Sequence, residues 1–258
     1  MKIAFFDSGV GGLTIFKEAY KDINAEYIYF ADNLNTPYGI KSKEVVKDLV
    51  VKNVKKIIDH GADIIVIACN TATSVAIAEL REMFENKCII GTEPAVKVAA
   101  DKHVEDKKIL VCATTLTSKE EKMMNLIDKL DIKDRTSFVP LDKLVEFAEK
   151  LDFKSSDVVE YLKERFSQID LEEYSHLVLG CTHFPLFKDV IASIVPEGIE
   201  IIDSANGVIK NVKNSISKLN LKENLKSNVT LMLTKKDEEF IHKFVDVTGI
   251  KEFLVEVV

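Results

Sequence analysis

The chain reads as an α/β protein with two similar doubly wound domains, mainly parallel sheets and a site in the cleft between them. Three observations predict this. Short apolar runs of strand length alternate with helical-period segments, the βαβ pattern whose right-handed crossovers give parallel sheets. Two runs end in near-matching frames, Ile64-Ile65-Val66-Ile67-Ala68-Cys69-Asn70-Thr71 and His176-Leu177-Val178-Leu179-Gly180-Cys181-Thr182-His183, an echo that suggests two related halves facing each other. Finally, 258 residues with 47% hydrophobic content can fill the cores of two modest domains.

In chain order, residues 2–6 form the first strand, followed by a helix from about Gly12, a strand at 27–31, a helix at 43–60 and a strand at 63–68. Within 43–60, Val46, Leu49, Val50, Ile57 and Ile58 recur at helical spacing, lysines occupy the solvated face, and Gly61 stops the helix. A helix near 74–84 and a strand at 87–90 lead to Gly91-Thr92-Glu93-Pro94, whose glycine and proline punctuate a boundary. The second series runs strand 108–112, helix 118–130, strand 137–140, helices 141–150 and 156–168, strand 176–180 and strand 199–203. Ser204-Ala205-Asn206-Gly207 opens a helix to about Leu219. The tail holds a strand at 228–233, a helix at 236–248 and a final apolar run at 252–258 that periodicity does not place.

Composition excludes several classes. Net charge is −7 with no basic run, so the electrostatic footprint for nucleic acid or an anionic membrane is missing. No apolar run reaches 18 residues, and a charge and glycines interrupt the amino terminus before a signal-peptide core forms; a soluble cytoplasmic protein is expected. The chain starts at its first strand and is expected to offer a regulator no amino-terminal extension. Cys69, Cys88, Cys112 and Cys181 show neither C-x-x-C spacing nor a histidine cluster, against structural zinc or a disulfide framework.

Residues just past strand carboxyl ends carry the chemistry in open α/β sheets. Cys69 precedes Asn70-Thr71-Ala72-Thr73-Ser74, an amide and hydroxyls at a helix amino terminus, where free N–H groups and the dipole lower a thiol pKa and hold a carboxylate. Cysteine is also a common buried residue, but this polar run has no job in a core. Cys88 and Cys112, inside apolar strands, read as packing. Cys181 precedes Thr182-His183-Phe184-Pro185, where a histidine two positions on can share the thiol's proton. His60, His103, His176 and His242 lack such context and read as surface or packing residues. Two thiols flanking one substrate suit a two-base proton transfer.

After the first strand, Asp7-Ser8-Gly9-Val10-Gly11-Gly12-Leu13-Thr14 allows close backbone approach to an anion, and Asp7 can accept from an ammonium or a thiol. The same loop resembles a dinucleotide motif, with Asp32 placed as the ribose acid, but Thr14 stands at the third glycine. Asn33-Leu34-Asn35-Thr36-Pro37-Tyr38-Gly39 is either an ordinary turn or a loop whose backbone meets substrate.

Together, Asp7-Ser8-Gly9-x-Gly-Gly, Asp32 with Thr36-Pro37-Tyr38-Gly39, Ala68-Cys69-Asn70-Thr71-Ala72 and Gly180-Cys181-Thr182-His183-x-Pro185-Leu186 resemble glutamate racemase, the cofactor-independent family that supplies D-glutamate for peptidoglycan. The resemblance covers essentially the whole chain. It implies one domain from 1–95 completed by 206–258 and another from 96–205, each giving one catalytic cysteine. It further implies that Cys69 takes the α-proton from D-glutamate and Cys181 from L-glutamate, with Asp7 assisting Cys69 and His183 assisting Cys181. Ser8, Asn70, Thr71, Thr182 and the Tyr38–Gly39 backbone would hold the amino group and both carboxylates, and Thr114 matches a further hydroxyl segment. Family members commonly form dimers.

The sequence departs from the family near the second cysteine. The family carries a glutamate shortly after its Val-Pro-Leu segment, whereas Val139-Pro140-Leu141 continues Asp142-Lys143 here. Lys143 stands at the expected position, leaving Asp142, Glu146 or no acid for the role. Competing readings are an aspartate racemase of the same superfamily, a nucleotide-binding protein, a thiol redox protein and a non-catalytic binding protein.

Overall fold

A computed structural model gives the structure and describes residues 1–92, 95–102 and 104–258. Glu93 and Pro94 of the expected boundary, and His103, lie outside the described residues. Strands β1 (Lys2–Asp7), β2 (Glu26–Ala31), β3 (Ile64–Ile67) and β4 (Cys88–Gly91) begin one sheet. Strands β5 (Lys108–Ala113), β6 (Thr136–Pro140), β7 (Tyr174–Leu179) and β8 (Glu200–Ile202) form a second, and β9 (Asn228–Leu233) and β10 (Leu254–Val257) return to the first. The orders are β10-β9-β2-β1-β3-β4 and β6-β5-β7-β8, and the described pairings are parallel. The order β2-β1-β3-β4 in one sheet is repeated as β6-β5-β7-β8 in the other. Thus β3 and β7, which precede Cys69 and Cys181, hold equivalent central places, the structural basis of the sequence echo.

The central strands are buried along their length, as parallel sheets covered on both faces require. Helix α1 (Leu13–Asp22) drives Phe16 into an aromatic cluster, with ring centroids 5.5 Å from Phe5, 5.5 Å from Tyr27 and 5.4 Å from Tyr29. Helix α2 (Lys43–Asp59) starts at Ser42, whose Oγ accepts from Val45 N, and buries Val46, Val50, Val54 and Ile57. The largest apolar cluster joins residues of both sheets, from Phe5 and Val10 to Leu110, Leu141 and Phe184, so the halves share packing.

Several elements differ from expectation. Helix α3 (Asn70–Met83) starts immediately after Cys69 rather than near residue 74, with Cys69 as its N-cap. Helix α4 (Val96–Asp101) has no counterpart in the sequence pattern. The helix expected at 118–130 is two, α5 (Thr115–Lys119) and α6 (Glu121–Lys129), broken where Glu120 adopts an extended conformation with ψ 134°. Helices α7 (Asp142–Glu149), α8 (Ser156–Phe166), α9 (Lys188–Ile194), α10 (Ala205–Lys218) and α11 (Glu238–Thr248) complete the chain. The unplaced tail becomes β10, an edge strand beside β9, its side chains exposed; one-sided pairing leaves no periodicity for a sequence reading to use. Among the described residues no helix is long and apolar enough to cross a membrane.

Candidate active site

The carboxyl ends of β1, β3, β5 and β7 deliver Asp7, Cys69, Thr114 and Cys181 to one cleft. Cys69 caps α3 through Ala72 N, 3.5 Å from Sγ, so the helix amino terminus that orders the loop also faces the thiol. Burial nevertheless pushes the Cys69 thiol well up, with Asp7 and Cys181 adding to the rise and the Ala72 N–H and Ser8 side chain opposing it. Cys69 and Cys181 are both free thiols and buried.

Asp7 is fully buried; its Oδ1 accepts from Gly9 N at 2.7 Å and its Oδ2 from Thr182 Oγ1 at 3.3 Å. Desolvation dominates its titration and pushes the carboxyl up to about 7, although His183 and both hydrogen bonds pull it down. A carboxyl so placed exchanges a proton near neutrality.

On the opposite wall Cys181 Sγ lies 3.6 Å from His183 Nδ1. The imidazole Nε2 is 2.7 Å from Glu149 Oε1, which also accepts from Val10 N at 3.0 Å. Burial alone would lower the His183 pKa, but hydrogen bonds and charge from Cys181 and Glu149 outweigh it and raise it well above the ordinary histidine value. With Nε2–H donated to Glu149, Nδ1 is free to exchange a proton with the thiol.

Glu149 is the acid that sequence reasoning missed. Asp142 instead accepts from Thr115 N and Oγ1 at 2.9 and 2.6 Å, Glu146 is exposed, and Lys143 lies over the Phe147 and Tyr161 rings at 5.4 and 5.6 Å. Glu149 sits on the same face of α7 as Asp142 and Glu146, but in its last turn. An acid there opposes the helix dipole, an unfavourable placement that becomes visible only once the end of α7 is known.

The remaining candidates converge on the same cleft. Thr71 Oγ1 lies 3.2 Å from Thr114 Oγ1 and 3.3 Å from Thr117 Oγ1, and Thr114 donates to Thr117 at 2.9 Å. This triangle of hydroxyls joins the halves; Thr117, one turn after Thr114, carries no distinguishing sequence signal. Asn70 donates through Nδ2 to Thr92 O at 3.1 Å, while its buried Oδ1 has no partner, an acceptor suited to an ammonium group. Tyr38 donates to Asp32 Oδ2 at 2.5 Å. A Cβ added to Gly39 would lie 3.1 Å from Thr114, so the Tyr38–Ile40 turn abuts the hydroxyl triangle. Asp7, Ser8, Asn70, Thr71, Thr114, Cys181, Thr182 and His183 are all nearly excluded from solvent.

The dinucleotide reading finds no support in this geometry. Asp32 also accepts from Asn35 and Thr234, both at 2.8 Å, leaving it committed within the fold. The glycine loop faces the other half: a Cβ on Gly11 would lie 2.5 Å from His183 Nδ1. His60 and His242 are exposed or half-exposed, and His176 is buried against Ser175 and near Glu200. Among the described residues no cluster of three or more histidine, cysteine or carboxylate side chains could hold a metal ion.

Paired α/β halves that bring two buried thiols to one polar cleft are the fold and site of a racemase-type protein. The comparisons agree: residues 17–211 match the Asp/Glu/hydantoin racemase family, and glutamate racemase from Halothermothrix orenii is 42% identical over 251 residues, covering 96% of this chain and 98% of that protein. The chain belongs to this family, among its glutamate racemases. A glutamate racemase isoform from Bacillus anthracis superposes with a TM-score of 0.89 at 27% identity, over 99% of this chain and 96% of that one. The Francisella tularensis glutamate racemase, solved with D-glutamate, has a TM-score of 0.89 at 25% identity, over 100% of this chain and 97% of that one.

Proposed function

We infer that this protein interconverts L- and D-glutamate without a cofactor, Cys69 and Cys181 acting from opposite faces of the α-carbon. The observation that carries this reading is the pair of buried thiols in unlike settings, one under the influence of the Asp7 carboxyl and the other beside the His183–Glu149 pair. One thiolate takes the α-proton, leaving a carbanion conjugated with the carboxylate; the opposite thiol gives its proton to the other face and becomes the thiolate. Cys69 takes the proton from D-glutamate and Cys181 from L-glutamate. A bound ammonium group near Cys69 offsets the burial that keeps its thiol protonated.

The unpartnered Asn70 Oδ1, with Ser8 and Thr182, receives the amino group and α-carboxylate. The Thr71–Thr114–Thr117 triangle and the Tyr38–Gly39 backbone receive the side-chain carboxylate. Glutamate is favoured over aspartate because the sequence relative and both structural neighbours described above are glutamate racemases. The reading extends to domains of 1–95 with 206–258 and of 96–205, to a homodimer in the cytoplasm, and to D-glutamate supply for peptidoglycan.

Its test is incubation with L-glutamate in deuterated buffer without added cofactor, following optical rotation and the α-proton signal together. Loss of both supports racemisation. No change with glutamate, or turnover of aspartate alone, overturns the glutamate assignment.

A further inference from the structure

Apart from Glu149, the polar groups that face the two thiols are buried, each at most 6% exposed. With so little of them exposed, movement of the rim between the halves would open them to solvent. Along that rim the Tyr38–Ile40 turn and α3 meet α5, and Leu116 of α5 packs on the apolar cluster that contains Tyr38, Val46 and Cys69. One ion pair closes this line: Lys43 Nζ lies 2.8 Å from Glu120 Oε2. Among the side chains the structure describes it is the only lysine–carboxylate pair that joins the β1–β4 half to the β5–β8 half.

Both placements need an explanation. Lys43 is the first residue of α2, where the helix dipole opposes a cation. The Glu120 side chain is only 7% exposed, an uncommon site for a carboxylate unless paired. Glu120 also occupies the extended break between α5 and α6, three residues after Thr117, and Lys43 follows Gly39 by four. The pair therefore ties together the two segments that carry the Tyr38–Gly39 backbone and the hydroxyl triangle.

The geometry points to Lys43 and Glu120 as an electrostatic latch that holds the cleft shut and sets how readily substrate enters and leaves. They are positioning residues that touch no reacting atom. The latch refers to the cleft inferred above to bind glutamate, but its first test needs no activity.

The full chain is alkylated with iodoacetamide at fixed pH, and labelling at Cys69, Cys181 and Cys112 is followed by peptide mass spectrometry. Cys112, fully buried in β5, reports unfolding. Lys43→Met should label Cys69 and Cys181 roughly two- to five-fold faster, the range a partly exposed pair commands, without faster labelling of Cys112. Added salt should speed labelling of the natural protein but not of Lys43→Met, and the swap Lys43→Glu with Glu120→Lys should restore slow labelling. If Glu120 changes impair folding, Lys43→Met, altered at a half-exposed side chain, decides alone. Labelling at the natural rate, or Cys112 rising in step, overturns the latch. In turnover, Lys43→Met should raise KM without lowering kcat; an inactive natural protein would sink the glutamate reading and leave the alkylation result standing.

Discussion

Asp7→Asn separates what the site costs the fold from what it does. The buried carboxyl has its pKa raised to about 7 from 3.8. The folded chain then binds more protons than the unfolded chain between those values, so stability falls as pH rises from about 4 to about 7 and levels off above. At about 1.4 kcal/mol per unit, the ionised form costs the fold on the order of 4 kcal/mol, most of it acquired above pH ~5. Asn keeps the acceptor for Gly9 N and can donate to Thr182 Oγ1, but carries no charge to desolvate. Urea unfolding at pH 5 and pH 8 should show the variant gaining roughly 3 kcal/mol over the natural protein between the two conditions. Racemisation should fall about a hundredfold through loss of the Cys69 partner. Because the enantiomers are equal in free energy, kcat/KM must fall equally in both directions. A stability difference that does not change with pH would refute the reasoning that ionised Asp7 is the desolvated group.

Changing either Cys69 or Cys181 to Ala should lower racemisation by at least about 10²-fold while circular dichroism stays unchanged; full activity in either variant ends the two-thiol assignment. Glu149→Gln removes a charge that raises the His183 pKa, so the alkaline limb of the kcat/KM profile should move to lower pH, and an unmoved limb would dissociate Glu149 from the imidazole. In Gly11→Ala the new Cβ would lie 2.5 Å from His183 Nδ1 and 2.7 Å from Thr182 Oγ1. Activity should drop about a hundredfold as the imidazole shifts from Cys181, with an unfolding cost of about 1–3 kcal/mol; near-natural kcat would show that the loop yields instead.

The amino-acid sequence alone determined the alternation of strands and helices, the two cysteine frames and the loops that follow β1, β2, β3 and β7. These are local: apolar runs bounded by glycine, hydroxyl or amide residues carry their own signal at short range. Glu149, Thr117 and the Lys43–Glu120 pair were decided only in the tertiary structure. Glu149 meets His183 34 residues away, and Val10 139 away, across the cleft, and no spacing rule along α7 distinguishes it from Asp142 or Glu146. The helix break at Glu120 and the pairing of β10 likewise depend on what lies across the cleft or beside the sheet edge. Local patterning places each reactive group at a strand end, whereas long-range packing chooses its partner and with it the proton affinity on which the chemistry depends.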